Sequence, residues 1–564
     1  MKLKNYLSLL TLLYVPLSLF SQSYEWGGQF GGNGEDVVKK MHVDAAGNSY
    51  ITGYFTDTAD FDISEAEFNL TAIGFYDAFV QKTNAEGELL WAVGIGGDMF
   101  EYGTGIATDN QGNVYITGYF DETVDFDPGI GEFLLTSQGG GDIFILKLDS
   151  EGRFIWAKSI GGADYEESTS IGVDELGNIY TLGYLSDIVD FDPGPGEVLI
   201  SSQGLNDTFL LKLDNSGNFL NVYTYGGDNI DLALDMFVKN SSQIFISGFF
   251  GGTTDLDPRP NEEYIVTATE DFAGYTMEID DTGAIQNIAN TEGGDVNVYA
   301  VTADVNDNMY ITGNFSGTVN FDPTSGNSDF TFSSTMAYNG FVMKILANGS
   351  IDWVRQVASE SPVFTYDIIV GEDGQVYTSG FFEGVADFNP SSTEEFFLSK
   401  QSVNAMDAYL LVLDRNGLFL NAYQFGGVGF IDTHQMGIDS ENNIYLAAQF
   451  AASIDINPMP QETQTVTAVD FRDNYLIKMN MGVLGLPSME VNEFSVYPNP
   501  TNQFLKVSTH KNLVGENYAI YNTLGQLIMH GTFTENQYID VSALKGGIYF
   551  LNLFSHSSVK FLKY

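Results

Sequence analysis

The chain of 564 residues has no cysteine. That excludes disulfides, thiol catalysis and Cys-ligated zinc, and it leaves stability in an oxidising compartment to packing alone. Positive charge is scarce as well. Only 22 Lys and Arg stand against 75 Asp and Glu, a formal charge of −53. Such a surface repels nucleic acid and anionic membranes and draws cations or basic partners; solubility and the use of Asp in turns account for much of it. There are five histidines, His42, His434, His510, His530 and His556, and none stands in a pattern with a nucleophile. No P-loop, His-Glu-x-x-His or Gly-x-Ser-x-Gly text occurs. The one extended apolar run, Leu7 to Phe20, is too short to span a bilayer comfortably. Lys2 and Lys4 precede it and Ser21 follows, so residues 1–21 read as a secretory signal peptide cut between Ser21 and Gln22. The mature chain is then exported, with no transmembrane segment.

What the chain has in quantity is repetition. Tyr-x-Thr-Gly text appears at Tyr50–Gly53, Tyr115–Gly118, Tyr180–Gly183, Phe245–Gly248, Tyr310–Gly313 and Tyr377–Gly380, with a worn copy at Tyr445–Ala448. The intervals between their fourth residues are 65, 65, 65, 65, 67 and 68. A fixed period of this size is the signature of a repeat architecture. Hydrophobic residues make up 44% of the chain, enough to give the units a core. In the second unit, strands are expected over Thr104–Asp109, Val114–Phe120, Asp142–Asp149 and Phe154–Ile160. The joints Asp109-Asn-Gln-Gly-Asn113 and Asp149-Ser-Glu-Gly152 are hairpin turns. One four-stranded sheet cannot bury both faces, but seven packed around an axis can.

The ends of the repeat region suggest how the ring closes. The seventh unit has a third strand, Tyr475–Asn480, and no fourth. An orphan fourth strand stands at the N-terminus, where Trp26 precedes Gly31-Gly32 just as Trp91 precedes Gly96-Gly97 and Trp156 precedes Gly161-Gly162. The first strand is expected to complete the last sheet and to hide its edge. The Asp-x-x-Gly-Asn-x-Tyr-x-Thr-Gly pattern resembles the bacterial β-propeller repeat family abbreviated SBBP. The fold class is therefore all-β: a seven-bladed β-propeller over 22–482, closed by the N-terminal strand, and then a small Ig-like β-sandwich. A propeller fold transmits no function by itself.

Residues 483–490 read as a linker. Beyond them the 65-residue text stops, and Phe494-Ser-Val-Tyr-Pro-Asn-Pro500, Tyr518–Leu527, Tyr538–Leu544, Gly547–Leu551 and Val559–Tyr564 give strands broken by Pro, Asn and Gly. The segment 491–564 strongly resembles the C-terminal type A sorting domain of the type IX secretion system. The resemblance implies that the type IX machinery is a partner and that the chain crosses a Gram-negative outer membrane. It also implies a tail that is removed, with the cargo released or attached to surface lipopolysaccharide.

Chemistry is written more faintly. The connector after the second strand carries acidic triplets: Asp60-Phe-Asp62, Asp125-Phe-Asp127, Asp190-Phe-Asp192 and Asp255-Leu-Asp257, then Asn320-Phe-Asp322, Asp387-Phe-Asn389 and Asp455-Ile-Asn457. In extended chain the two carboxylates lie about 7 Å apart on one side. That suits calcium, which takes oxygen ligands, and superficially a glycosidase pair. Sevenfold repetition, the exchange of Asp for Asn and the Pro-Gly that often follows weigh against catalysis. These acids read first as loop caps. Asp60, Asp62, Asp125, Asp127, Asp190, Asp192, Asp255 and Asp257 are the calcium candidates, and there is no catalytic residue and no other cofactor. Trp26, Trp91, Trp156 and Trp353 occupy equivalent positions and read as inter-blade packing rather than a sugar platform. Residues that break the repeat, such as Arg259, Arg355, Lys400 and His434, mark where an asymmetric site would be sought. The function expected is a secreted or surface-displayed, non-catalytic propeller that binds a glycan or protein. A polysaccharide-acting hydrolase or lyase is the alternative.

Overall fold

The computed structural model of the chain describes residues 22–324, 330–391, 393–403, 405–459 and 462–481, and in the tail 494–497, 501–509, 513–514, 517–522, 527–533, 538–553 and 557–563. The signal segment 1–21 and the linker 483–490 lie outside them. The chain divides into two compact units, one of them residues 22–482. Among the described residues every regular element is a strand.

Each repeat forms an antiparallel sheet in the order first, second, third, fourth strand. The second sheet shows the pattern: Glu101–Thr108, Val114–Phe120, Asp142–Leu148 and Phe154–Gly162. The hairpin text explains the first turn. Asp109 Oδ1 accepts the N–H groups of Gln111 and Asn113, and its Oδ2 accepts Asn113 Nδ2 and the Tyr115 hydroxyl. Gly112 takes φ +78°, a conformation that costs a residue with a Cβ. The Gly of Tyr-x-Thr-Gly has a different cause. The first strand bulges between Gly103 and Gly105, and a Cβ on Gly118 would lie 2.0 Å from the Tyr102 carbonyl oxygen. In the worn seventh copy the bulge falls between Asp432 and His434, one step along, and Ala448 is accommodated there.

Sequence reading missed two short strands in six of the connectors and, in the fifth, the extension of Met309–Asn320 and Thr331–Ile345 into the same ribbon. Thr123–Asp125 and Leu134–Thr136 form a ribbon in the second unit. Such ribbons pair with the end of the preceding sheet's fourth strand: Gly161-Gly162 lies against Asp190 and Val189, and Gly426-Gly427 against Asp455 and Ile454. Every sheet is thereby clasped to the next. The middle residue of the acidic triplet anchors each ribbon. Phe61, Phe126, Phe191, Leu256, Phe321, Phe388 and Ile456 are buried, and a buried Phe stabilises by about 2–3 kcal/mol.

The N-terminal strand Ser23–Gly32 runs antiparallel to Asp473–Asn480, and its Gly31-Gly32 pairs with Asp60 and Ala59 of the first ribbon. Phe30 shares one apolar cluster with Phe61, Phe79, Tyr445 and Leu476. The Trp positions pack between neighbours. Trp26, Trp91, Trp156 and Trp353 donate Nε1–H to the carbonyls of Ala85, Ser150, Asn215 and Arg415, each in the third-to-fourth-strand turn of the following sheet.

The tail has its own core. Phe494–Tyr497, Phe504–Thr509 and Tyr538–Asp540 form one sheet, and Leu527–Thr532, Asn517–Asn522, Gly547–Leu553 and Ser557–Lys563 the other. Leu505, Val507, Ile520, Ile539, Leu551 and Phe561 are buried between them, as alternating strand text requires.

Candidate functional site

The acidic triplets are local loop devices. Asp60, Asp125, Asp190 and Asp255 each use Oδ1 to accept the N–H two residues on, at 3.1 Å. The same oxygen accepts a second N–H from the far side of the loop, Phe68, Phe133, Val198 or Tyr264, at 2.7–2.8 Å. Asp62, Asp127, Asp192 and Asp257 cap Ser64, Gly129, Gly194 and Arg259 in turn. Asp387 caps Asn389 N in the same manner, and Asn320 caps Asp322 N. An amide oxygen accepts as a carboxylate does, which explains why Asn and Asp exchange here. Each pair stays in its own loop, and among the described residues no cluster of three or more His, Asp or Glu is placed to hold a metal.

The repeat-breaking residues named from sequence do not converge. Arg259 pairs with Asp257. Arg355 stacks on Trp353 and donates to the Gly417 and Asn416 carbonyls. Lys400 donates to Val403 O. The His434 side chain lies outside the described residues.

A different set does converge. The first strands of all seven sheets line one central cavity of about 380 Å³. Thirteen residues before the fourth position of each Tyr-x-Thr-Gly copy stand Lys40, Gly105, Ser170, Asp235, Ala300, Asp367 and Gln435. One place in the repeat therefore carries a cation, two acids, an amide, a hydroxyl and two small residues. Lys40 Nζ reaches from the first sheet to Asp235 Oδ1 of the fourth, at 2.9 Å. Ser170 Oγ donates to the same oxygen at 3.4 Å, and Val301 N–H donates to Asp235 Oδ2. Asp367 accepts Met436 N–H at 2.7 Å and Ile368 N–H at 2.8 Å. Gln435 Oε1 is buried and accepts no hydrogen bond.

Electrostatics tie the set together. Burial draws the Lys40 ammonium down, and Asp235 and Asp367 push it back above its ordinary value. Burial lifts the Asp367 carboxyl to about 6, with Lys40 opposing and Asp235 adding to the shift. His42 stands two residues along, its Nε2 3.0 Å from Thr108 Oγ1, and burial holds its pKa below the ordinary imidazole value. Above them Val43, Val173, Val238, Val370 and Ile438 supply the aliphatic part of the wall. The arrangement offers a polar, net-negative cluster in a cavity whose wall mixes His42, Thr108 and Thr302 with aliphatic side chains, a composition open to a small polar ligand.

Comparison with known proteins bears on export and fold. Residues 495–563 match the family described as "Secretion system C-terminal sorting domain". The tail is a type IX sorting domain. Residues 95–119 match the family described as "Beta-propeller repeat". The chain is thus an exported β-propeller that carries a sorting domain for delivery to the cell surface or the medium. It is 24% identical over 196 residues to an uncharacterized WD repeat-containing protein of Acanthamoeba polyphaga mimivirus, covering 30% of this chain and 14% of that one. The β-propeller also aligns with a neuraminidase-like protein of A/little yellow-shouldered bat/Guatemala, at 6% identity and TM-score 0.29, over 81% of this chain and 99% of that chain. A further alignment is with PorZ, a surface component of the type-IX secretion system of Porphyromonas gingivalis, at 11% identity and TM-score 0.18, over 95% of this chain and 100% of that chain. No described helix is long and apolar enough to cross a membrane.

Proposed function

We propose that the seven sheets form a seven-bladed ring closed by Ser23–Gly32, with residues 22–482 as the working domain. The ring is a non-catalytic binding or scaffold module at the surface of a Gram-negative bacterium, and its ligand is a glycan or protein that places a polar group in the central channel. The observation that carries this reading is the asymmetry at one register position. Packing alone would repeat the same residue, yet Lys40, Ser170, Asp235 and Asp367 meet there. The same asymmetry keeps a hydrolase or lyase as the second reading, because that activity needs an unrepeated acid and Asp367 titrates near 6.

A glycan array and a polysaccharide hydrolysis assay, run side by side on the chain and on Asp367→Asn, separate the two. Binding without turnover, weakened in the variant, supports the binding module. Turnover abolished in the variant supports the enzyme. Neither binding nor turnover, together with unchanged surface display, leaves the scaffold role.

A further inference from the structure

The end of the sheets that carries the connectors also carries a row of aromatic rings. Their places in the repeat put them there. Tyr54, Tyr119 and Tyr184 stand one residue from the end of the second strands. Phe75 and Tyr76 stand just before a third strand, Phe100 and Tyr165 in the loops before first strands, and Tyr102 second in its strand. Neighbouring rings touch from one sheet to the next. Phe75 stacks on Phe100 with centroids 5.4 Å apart, and Tyr76 meets Phe100 at 5.4 Å. Tyr54 meets Tyr76 at 4.6 Å and Tyr102 at 6.4 Å. Tyr102 then stacks on Tyr119 at 5.1 Å, and Tyr119 packs on Tyr165 at 5.2 Å. Seven rings from three sheets thus form one unbroken row.

The fold does not require this row. At the place of Tyr54, Tyr119 and Tyr184 the fifth unit has Asn314 and the seventh Gln449, and both pair with their third strands in the same register. Nor is the row sealed. Phe75 keeps 62% of its surface exposed and Ile73 beside it 71%, while Tyr54, Tyr76, Phe100, Tyr102, Tyr165 and Tyr184 are half-buried. Contiguous exposed apolar surface of this kind marks a contact site.

The row is polar along its length as well. The Tyr102 and Tyr165 hydroxyls share a hydrogen bond at 3.0 Å, and Tyr165 and Tyr184 both donate to Glu167 Oε2, at 2.9 and 2.6 Å. Tyr119 donates to the Gly140 carbonyl. A protein partner buries an apolar centre depleted of charge, and here Glu167 stands among the rings. A carbohydrate suits the row better: the C–H face of a sugar packs on an aromatic ring, and its hydroxyls exchange hydrogen bonds with phenols and carboxylates. Charge narrows the class. The chain carries a formal −53, and Asp98 and Asp164 lie in the loops that hold Phe100 and Tyr165. Among the described residues one cation, Lys39, lies over a ring of the row, that of Tyr54. Such a field turns away uronic, sulfated or phosphorylated chains. Rings that succeed one another across three sheets suit several linked sugars rather than one.

We propose that this row is the docking surface for a neutral polysaccharide chain. The inference rests on the reading of the seven sheets as a binding module; it adds where, outside the central cavity, the ligand is held and to what class it belongs.

The test is affinity electrophoresis of the full mature chain in native gels cast with neutral polysaccharides (laminarin, xyloglucan, dextran) or acidic ones (alginate, polygalacturonate). At least one neutral polysaccharide should slow the protein, and neither acidic one should. Phe75→Ala with Tyr76→Ala should weaken the retardation at least about tenfold. Tyr102→Phe with Tyr165→Phe keeps the rings, removes the hydroxyls and should weaken it about fivefold; if the first pair does not fold, this pair decides. Asp367→Asn is run beside them. Retardation kept in Asp367→Asn and lost in the aromatic variants upholds the proposal and moves the ligand out of the central cavity. Loss in both kinds of variant lays one chain across row and cavity and upholds both readings. Loss in Asp367→Asn alone overturns the proposal and leaves the cavity reading intact. Retardation that none of these changes affects, or that acidic polysaccharides cause equally, overturns it. So does the absence of retardation by any neutral polysaccharide, which leaves the face to a protein partner.

Discussion

Replacing Lys40 by Met removes the one cation of the central cluster and keeps its length. Asp235 and Asp367 then face each other in the cavity without a counter-charge. Breaking a fully buried pair costs about 3–5 kcal/mol. Here the Lys40 side chain keeps 26% of its surface accessible and Asp235 keeps 9%, so a discount of about a quarter is due, to about 2–4 kcal/mol. The unfolding entropy of a unit spanning residues 22–482 is about 1 kcal/mol per degree, so the melting temperature should drop by about 2–4 °C. The deficit should widen from pH 5 to pH 8. Without Lys40 the Asp367 carboxyl rises further above about 6, so acid relieves the repulsion and base restores it. Adding Asp235→Leu should recover part of the loss, with a coupling of at least about 1.5 kcal/mol in a double-mutant cycle followed by circular dichroism. A Lys40→Met chain that melts with the parent at both pH values, and shows no coupling, refutes the idea that the cluster is one electrostatic unit.

Three further expectations are direct. Gly118→Ala drives a Cβ against the Tyr102 carbonyl oxygen and should cost about 1–3 kcal/mol, whereas Ala448→Gly should change stability by less than about 1 kcal/mol; thermal melts compare them. Asp125→Asn should be nearly silent because the amide oxygen still caps Asp127 and Phe133, while Asp125→Ala should cost about 1–2 kcal/mol and expose the connector to limited proteolysis. Removal of Tyr24–Gly32 should bare the edge of Asp473–Asn480 and send the protein into aggregates on size-exclusion chromatography; a truncated protein that still melts cooperatively as a monomer contradicts the closure.

Much of the framework was legible because the same local physics was written repeatedly. Asp109, Gly112, Asn113 and Tyr115 form one hydrogen-bonded turn, and the spacing of those residue types shows it before any coordinates do. The second strand falls at Val114–Phe120 as read, while the first begins at Glu101 rather than Thr104, since a bulge lets pairing run on past Gly103. The ribbons were hidden because a three-residue strand has no periodicity to detect, and Leu134–Thr136 reads as loop. The central cluster was hidden for another reason. Lys40 and Asp235 are 195 residues apart, and attention to conspicuous residues such as Arg259 and Arg355 led to local contacts. The signal was present in the constant offset of 13 from each Tyr-x-Thr-Gly copy, where one column of the repeat holds Lys, Asp and Ser while the column after it holds only Met, Ile and Val. Columns that vary in charge within a repeat deserve as much scrutiny as columns that do not vary.

The pairing of Ser23–Gly32 with Asp473–Asn480 also orders events in time. The strand that leaves the ribosome first is the one whose partner is made almost last. Closing a loop of some 450 residues is entropically slow, so the early sheets must wait with a bare flank until the final repeat arrives. A nascent chain cut short anywhere before that repeat has no means to complete itself. Under the closure proposed above, only a chain translated as far as Asn480 can complete the last sheet.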